Sequence, residues 1–247
     1  MKKILILSLA LCASAVADLF EFGAGAGVWR AETSGTAEYK KSGIGAKFDA
    51  KDTGLDTTTN GYLWAYIEHE IPILPNFRID GAPFSSDGTK NISVAFGGTV
   101  FNGRTKTDLT MDQIDFIGYY ILPIPAIDIR LGLGAETIDG SLKLAGQGKS
   151  AKADLSFTLP IAYGGVRFEI PSIAVGLEAD LKYVAYDKSR ISDIRGKIDW
   201  TFIDAVINAA LEVGYRSRSI EIEDLSGVNG EIDVTIKGPF VGVAARF

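Results

Sequence analysis

Apolar and polar residues alternate with a period of two along most of this chain. Residues 173–183 place Ile173, Val175, Leu177, Ala179, Leu181 and Tyr183 on one face, with Glu178, Asp180 and Lys182 on the other. Residues 207–216 repeat the pattern, with Ile207, Ala209, Leu211, Val213 and Tyr215 opposite Asn208, Glu212 and Arg216. Residues 127–136 do so again, with Asp128, Arg130 and Glu136 opposite the aliphatics. A period of two is the signature of a strand. Apolar bands of about 9–11 residues with tyrosine at the end suit strands that cross a bilayer. The spacing predicts ten strands, near 19–30, 59–71, 77–101, 104–121, 126–143, 153–170, 173–187, 193–201, 205–222 and 231–247. The fold class is therefore all-β, a single antiparallel up-and-down transmembrane β-barrel, with eight or twelve strands as alternatives. A soluble exported β-sandwich that binds a ligand alternates in the same way and stays open at this point.

The connections alternate in length. Short turns marked by proline fall at 71–76, 122–126 and 170–172, where a missing ladder N–H does no harm. Polar stretches at 32–60, 85–108 and 140–152 read as long loops, and Asn102-Gly103 reads as a hairpin turn. Two phase changes stand out. Phe157, Leu159, Ile161 and Tyr163 share one parity while Val166 and Phe168 take the other, which predicts a bulge at Gly164-Gly165. Ile220, Ile222, Ile232, Val234 and Ile236 also switch parity. Here the expectation is that they pack inward above the lipid, with Glu221, Asp233 and Lys237 facing out. An amphipathic helix across 202–211 is a lesser alternative.

The two ends agree with the barrel. Residues 241–247 alternate and finish on an aromatic, so Phe247 reads as the end of the closing strand and as an insertion signal. Met1-Lys2-Lys3, the short apolar run 4–13 and Ala15-Val16-Ala17 read as a cleaved signal peptide over 1–17, leaving the barrel over 18–247. Leu11 is too large for the residue that precedes a lipoprotein cysteine, so Cys12 leaves with the signal. The mature chain then has no cysteine, which excludes disulfides and thiolate sites. No remaining apolar run is long enough for a spanning helix. Loss of Lys2 and Lys3 takes the net charge from −6 to −8, which disfavours nucleic acid as a partner. The expected location is the bacterial outer membrane. The expected partners are outer-membrane lipid and lipopolysaccharide, with the barrel-insertion machinery and periplasmic chaperones during biogenesis, and the expected state is a monomer.

Candidate chemistry is sparse. His69 is the single histidine, two residues before a proline turn and on the lipid-facing parity, so neither a Ser-His-Asp arrangement nor a histidine metal cluster is supported. Gly23-x-Gly25-x-Gly27 and Gly132-x-Gly134 open no helix and read as small inward positions. Carboxylates pair in sequence at Glu68/Glu70, Glu178/Asp180 and Asp112/Asp115, but nothing selects acid–base work. The loop acids Asp49, Asp52, Asp56, Asp108 and Asp112 have the chemistry for Ca²⁺ but read more simply as solvated. No cofactor or metal is expected. The inward parity collects charges of both signs: Glu68, Arg78, Asp80, Asp128, Arg130, Glu136, Glu178, Asp180, Lys182, Glu212, Arg216 and Arg246, with Glu21 and Glu70 at the end. Such groups either pair across a narrow lumen and close it, or line a water channel. The expected function is non-enzymatic, structural or a narrow passive pore. An alternative is a closed barrel whose long loops bind a ligand through aromatics such as Tyr39, Phe48, Phe84 and Phe101.

The signal peptide, the proline-marked turns, 163–168 (Tyr-Gly-Gly-Val-Arg-Phe), 212–216 (Glu-Val-Gly-Tyr-Arg) and the terminal Phe247 resemble the proteobacterial outer-membrane β-barrel family named for its Gly-Gly feature. The likeness spans nearly the whole mature chain and implies a barrel, with no established activity to carry over. Phe240 departs from the polar residue usual in the terminal signature. More distantly the design is similar to OmpA- and OmpW-type small barrels.

Overall fold

In a computed structural model, residues 19–186, 189–223 and 230–247 are described. The predicted signal peptide, with Cys12, lies outside them. Among the described residues, ten long strands form a closed antiparallel wall: β1 (Phe20–Tyr39), β3 (Thr58–His69), β4 (Asn76–Phe96), β5 (Thr99–Ile124), β6 (Ile127–Gly146), β7 (Lys149–Ile170), β8 (Val175–Tyr186), β9 (Ser189–Ile203), β10 (Asn208–Glu223) and β11 (Gly230–Arg246). The two-residue β2 (Phe48–Asp49) pairs only with β1, within the first long connection. Each wall strand pairs with its sequence neighbour, and β11 closes on β1 from Gly23↔Arg246 to Tyr39↔Gly230. This closure excludes the β-sandwich, whose two sheets would keep their edges. No helix spans 202–211, where a strand end, a bend and β10 follow one another.

The outer face of the lower wall is an apolar band. Leu63, Phe77, Phe116, Leu133, Leu177, Ile198, Leu211 and Val243 are all exposed on it. Strands long enough to cross such a band need only about 9–11 residues, yet β5 has 26. The surplus lies at the long-hairpin end, in segments that the sequence pattern read as loops. Their polarity misleads because both faces change there: the outside becomes polar while the inside becomes apolar. Ser85 to Asp108 is thus continuous β4–β5 ladder, and 140–152 is continuous β6–β7 ladder. The β4–β5 turn sits at Gly97-Gly98, not at Asn102-Gly103, which lies inside β5. Both residues of that turn have positive φ, 57° and 82°, the geometry of tight two-residue hairpins and one that two glycines adopt without strain. Gln147-Gly148 makes the equivalent β6–β7 tip, with φ of 51° and 72°.

The bulge expected at Gly164-Gly165 is absent. Pairing runs through it without a shift on both sides, Leu131↔Gly164↔Leu181 and Arg130↔Gly165↔Asp180. Leu155, Leu159, Ile161 and Tyr163 are instead buried inside, while Val166 and Phe168 are exposed outside. The two sets need no common face because they lie at different heights. The same account, expected for β10 and β11, holds there: Ile220, Ile222, Val234 and Ile236 are buried, and Glu221, Asp233 and Lys237 are exposed.

Candidate functional site

The inward face is a filled core with two layers. Its construction starts from glycine. Gly23, Gly25 and Gly27 of β1 pair with Tyr66, Trp64 and Tyr62 of β3. The three rings lean across the glycine column, and a Cβ at Gly25 would stand 2.5 Å from Trp64 Cε2. Gly132 and Gly134, predicted as small inward positions, likewise face Tyr119 and Ile117. Trp64 and Tyr66 stack with centroids 5.7 Å apart and planes 3° apart.

The rings deliver donors to buried carboxylates. Glu212 of β10 accepts from Tyr62 Oη at 2.7 Å, Trp64 Nε1 at 3.1 Å and Lys197 Nζ at 3.1 Å. Lys197 Nζ lies 4.5 Å from the Trp64 ring centroid, a cation–π distance. Tyr119 donates to Glu68 at 2.6 Å, and Tyr163 donates to Asp180 at 2.7 Å.

Arginine and lysine complete the pairing, partly along a strand or between neighbours and partly across the lumen. Arg78 bonds Asp80 at 3.0 Å, and Arg130 bridges Glu68 at 3.2 Å and Glu178 at 3.5 Å. Lys182 holds Asp80 at 2.8 Å and Asp115 at 2.5 Å. Arg195 holds Asp180 at 2.5 Å, Arg218 holds Glu136 at 2.7 Å, and Arg216 forks onto Asp193 while donating to Gln113 Oε1 at 2.7 Å. At the short-turn end Arg167 gathers Asp199 at 2.9 Å, Glu178 at 3.1 Å and Glu169 at 2.7 Å, and Arg246 reaches Asp199 at 3.1 Å. Buried charge without a partner is costly. The network meets that constraint by giving each of these buried charges a partner of opposite sign. Above this layer the filling is apolar: Ile138, Ile161, Ile191, Ile220 and Ile236, then Phe96, Phe101 and Leu144. In the polar layer a cavity of about 20 Å³ lies between Trp29, Asp80, Lys182, Arg195 and Arg216, room for about one water molecule.

Eleven of the twelve charges expected in the lumen meet in this network. Asp128 does not: it is half-buried near the short-turn end and has no hydrogen bond or ion pair among the described residues. Glu21 accepts from Tyr66 Oη at 2.6 Å, but Glu70 lies past the end of β3 and is exposed. Asp112 and Asp115, adjacent in the sequence pattern, face opposite sides of the wall, Asp112 out and Asp115 in. His69 stays on the outer wall, edge-on to Phe20 at 5.8 Å and with Nε2 3.2 Å from Pro75 O. No group of three or more potential metal ligands occurs among the described residues.

The sequence pattern does not single out Gln113, Arg167, Asp193, Arg195, Lys197, Asp199 and Arg218, and gives Asp115 only as a pair with Asp112. The run Asp193, Arg195, Lys197, Asp199 alternates with Ile194, Ile198 and Trp200, a strand signal visible in retrospect. Arg167 was hidden by the supposed bulge. The loop aromatics proposed as a binding surface are mostly internal: Phe84 and Phe101 are buried, and Tyr39 and Phe48 pack on Phe96. They fill the upper lumen because the segments carrying them are wall or lid.

No family model matches the chain, so its resemblance to the Gly-Gly family goes no further than the loose motifs. No curated protein matches it either. Among solved structures, the Ail attachment invasion locus protein of Yersinia pestis is similar at 14% identity, over 93% of this chain and 99% of that one, with a TM-score of 0.38. Neisserial surface protein A is similar at 15%, over 92% and 97%, with a TM-score of 0.36. The outer membrane protease OmpT from Escherichia coli is similar at 10%, over 92% and 95%, with a TM-score of 0.46. At these values none of the three carries an argument about activity, and the barrel rests on its own strand pairing.

Proposed function

We propose that this chain is an integral outer-membrane β-barrel with a closed lumen, non-enzymatic and structural in the cell envelope, exported through its N-terminal signal. The observation that carries this reading is the combination of an apolar outer band with an interior in which charges pair across the lumen and an apolar layer lies above them. Among the described residues the buried lumen charges named above are engaged with one another, and the single histidine faces outward. Closure also favours the structural role over the passive pore. The refolded protein is expected to migrate faster on gels when unheated, and to give no discrete conductance steps in planar bilayers. Stable ion-selective steps from the unmodified protein would overturn the closed lumen, and solubility without detergent would overturn the barrel.

Phe247 is proposed as the signal read by the insertion machinery. Its ring stacks on Phe22 at 5.5 Å and 16°, and its backbone exchanges hydrogen bonds with Phe22 at 2.8 and 2.9 Å. The backbone pair survives a change of side chain. Phe247→Ala is therefore expected to lower the membrane-inserted fraction in cells while refolding into micelles continues. Equal insertion of the two proteins in cells would remove the signalling role.

A further inference from the structure

The wall has one weak seam. β3 and β4 share only five pairs, Leu63↔Gly81 to Ile67↔Phe77, although β4 continues to Phe96. Residues 82–96 of β4 thus meet no strand on that side. The first long connection fills the place as a strap over 46–57, which includes a short 3-10 turn at Ala50–Thr53. Its two-residue β2 pairs with β1, and towards β4 it is held by scattered bonds: Ala46 N to Ala95 O at 2.9 Å, Ser86 Oγ to Asp56 O at 3.3 Å and Lys90 Nζ to Lys51 O at 3.1 Å. At its foot Asn60 Oδ1 caps the Ser85 N–H at 2.9 Å. Gly88 packs against the Gly54 carbonyl so closely that a Cβ would not fit between them.

Behind the strap lies a cavity of about 60 Å³, lined by Ala37, Phe48, Leu55, Phe96, Met111 and Leu155. Thr33 is among the polar residues that border this mostly apolar space. Thr33 is 1% exposed, and its Oγ1 has no hydrogen-bond partner among the described residues. A buried hydroxyl without a partner is costly, and an apolar cavity does not hold water well enough to supply one. A ligand with a small apolar body and one hydrogen-bonding atom would satisfy both. Against the roughly 150 Å³ that accepts a benzene ring, the space suits a molecule of only a few heavy atoms.

We propose that this cavity is a binding site for short uncharged alcohols and similar molecules with a single hydrogen-bonding group. Thr33 Oγ1 anchors the polar atom, and the strap is the entrance. The strap is the natural entrance because the rest of the cavity wall is continuous ladder, whereas its own bonds are few.

Met111 is one of two methionines in the sequence, and the other is Met1. Methyl-labelled methionine therefore places a single reporter in the cavity. The refolded chain is titrated in micelles with 1-propanol and with butane, its isosteric alkane. A saturable shift of the Met111 methyl is expected with both. The preference for propanol relative to butane should fall about fivefold in Thr33→Val, the worth of one ordinary hydrogen bond. Ala37→Leu, or Ala153→Val should the first fail to fold, should fill the space and remove the shift. Gly88→Ala and Asn60→Ala should each loosen the strap and quicken exchange seen in the line shape. A shift that rises linearly without saturating, or that persists in both filling variants, overturns the site. A preference unchanged in Thr33→Val overturns the anchor, and exchange unchanged in both strap variants overturns the entrance.

Discussion

Replacing Glu212 by alanine is expected to destabilise the folded barrel by about 3–5 kcal/mol, the cost typical of breaking a buried ion pair from one side. Glu212 is fully buried and serves three donors at once: a phenol, an indole and an ammonium. Its loss leaves Tyr62 and Trp64 donating to nothing. It also leaves Lys197 with Glu178 alone, at 3.3 Å, a carboxylate already shared with Arg130 and Arg167. Glu212→Gln keeps an acceptor for the rings and loses only the charge, so its effect should be smaller. Asp139→Ala, on the exposed outer face, should stay within about 0.5 kcal/mol. Urea titration of the three proteins in liposomes, followed by tryptophan fluorescence, orders them. If Glu212→Ala and Asp139→Ala unfold at the same urea concentration, the network contributes nothing and the interior is wet.

Gly25→Leu should cost a comparable amount by a different route. The added side chain meets the Trp64 indole at a distance no Cβ tolerates. Overpacking alone costs about 1–3 kcal/mol. Here the indole must also leave Glu212, adding about 1–3 kcal/mol for a buried group deprived of its partner. Because both substitutions break the same Trp64–Glu212 bond, the double variant should be less damaged than the sum, with a coupling of about 0.5–3 kcal/mol. Strict additivity in the same urea titration would mean that Trp64 rests elsewhere.

The wall strands were legible because lipid imposes a simple rule: outward side chains in the band must be apolar, and the period of two follows. Residues such as Leu177, Leu181, Leu211 and Val213 could only be placed one way. The same rule exposed most lumen charges, since Glu178, Asp180, Glu212 and Arg216 alternate with them. Above the band the rule reverses, and a polar outside with an apolar inside imitates a loop. That is why 85–108 and 140–152 read as loops in the sequence, and why Phe84 and Phe101 read as surface aromatics. Partnership was not legible at all. The parity of β8 shows that Lys182 points inward, but that it meets Asp115 on β5, 67 residues away in sequence, depends on barrel diameter and shear. The orphan hydroxyl of Thr33 is equally silent in sequence, where it is one threonine among many.

The two-residue tips at Gly97-Gly98 and Gln147-Gly148 end strands far longer than a membrane requires. A strand of 26 residues at about 3.3 Å each measures some 85 Å along its axis. Even strongly tilted, such hairpins stand well clear of the hydrocarbon. On the proposed reading, with the short turns in the periplasm, these hairpins present rigid ladder outside the cell, with backbone amides already engaged, and proteases need extended, unpaired chain to cut. Digestion of intact cells should therefore spare these two hairpins and leave their epitopes standing.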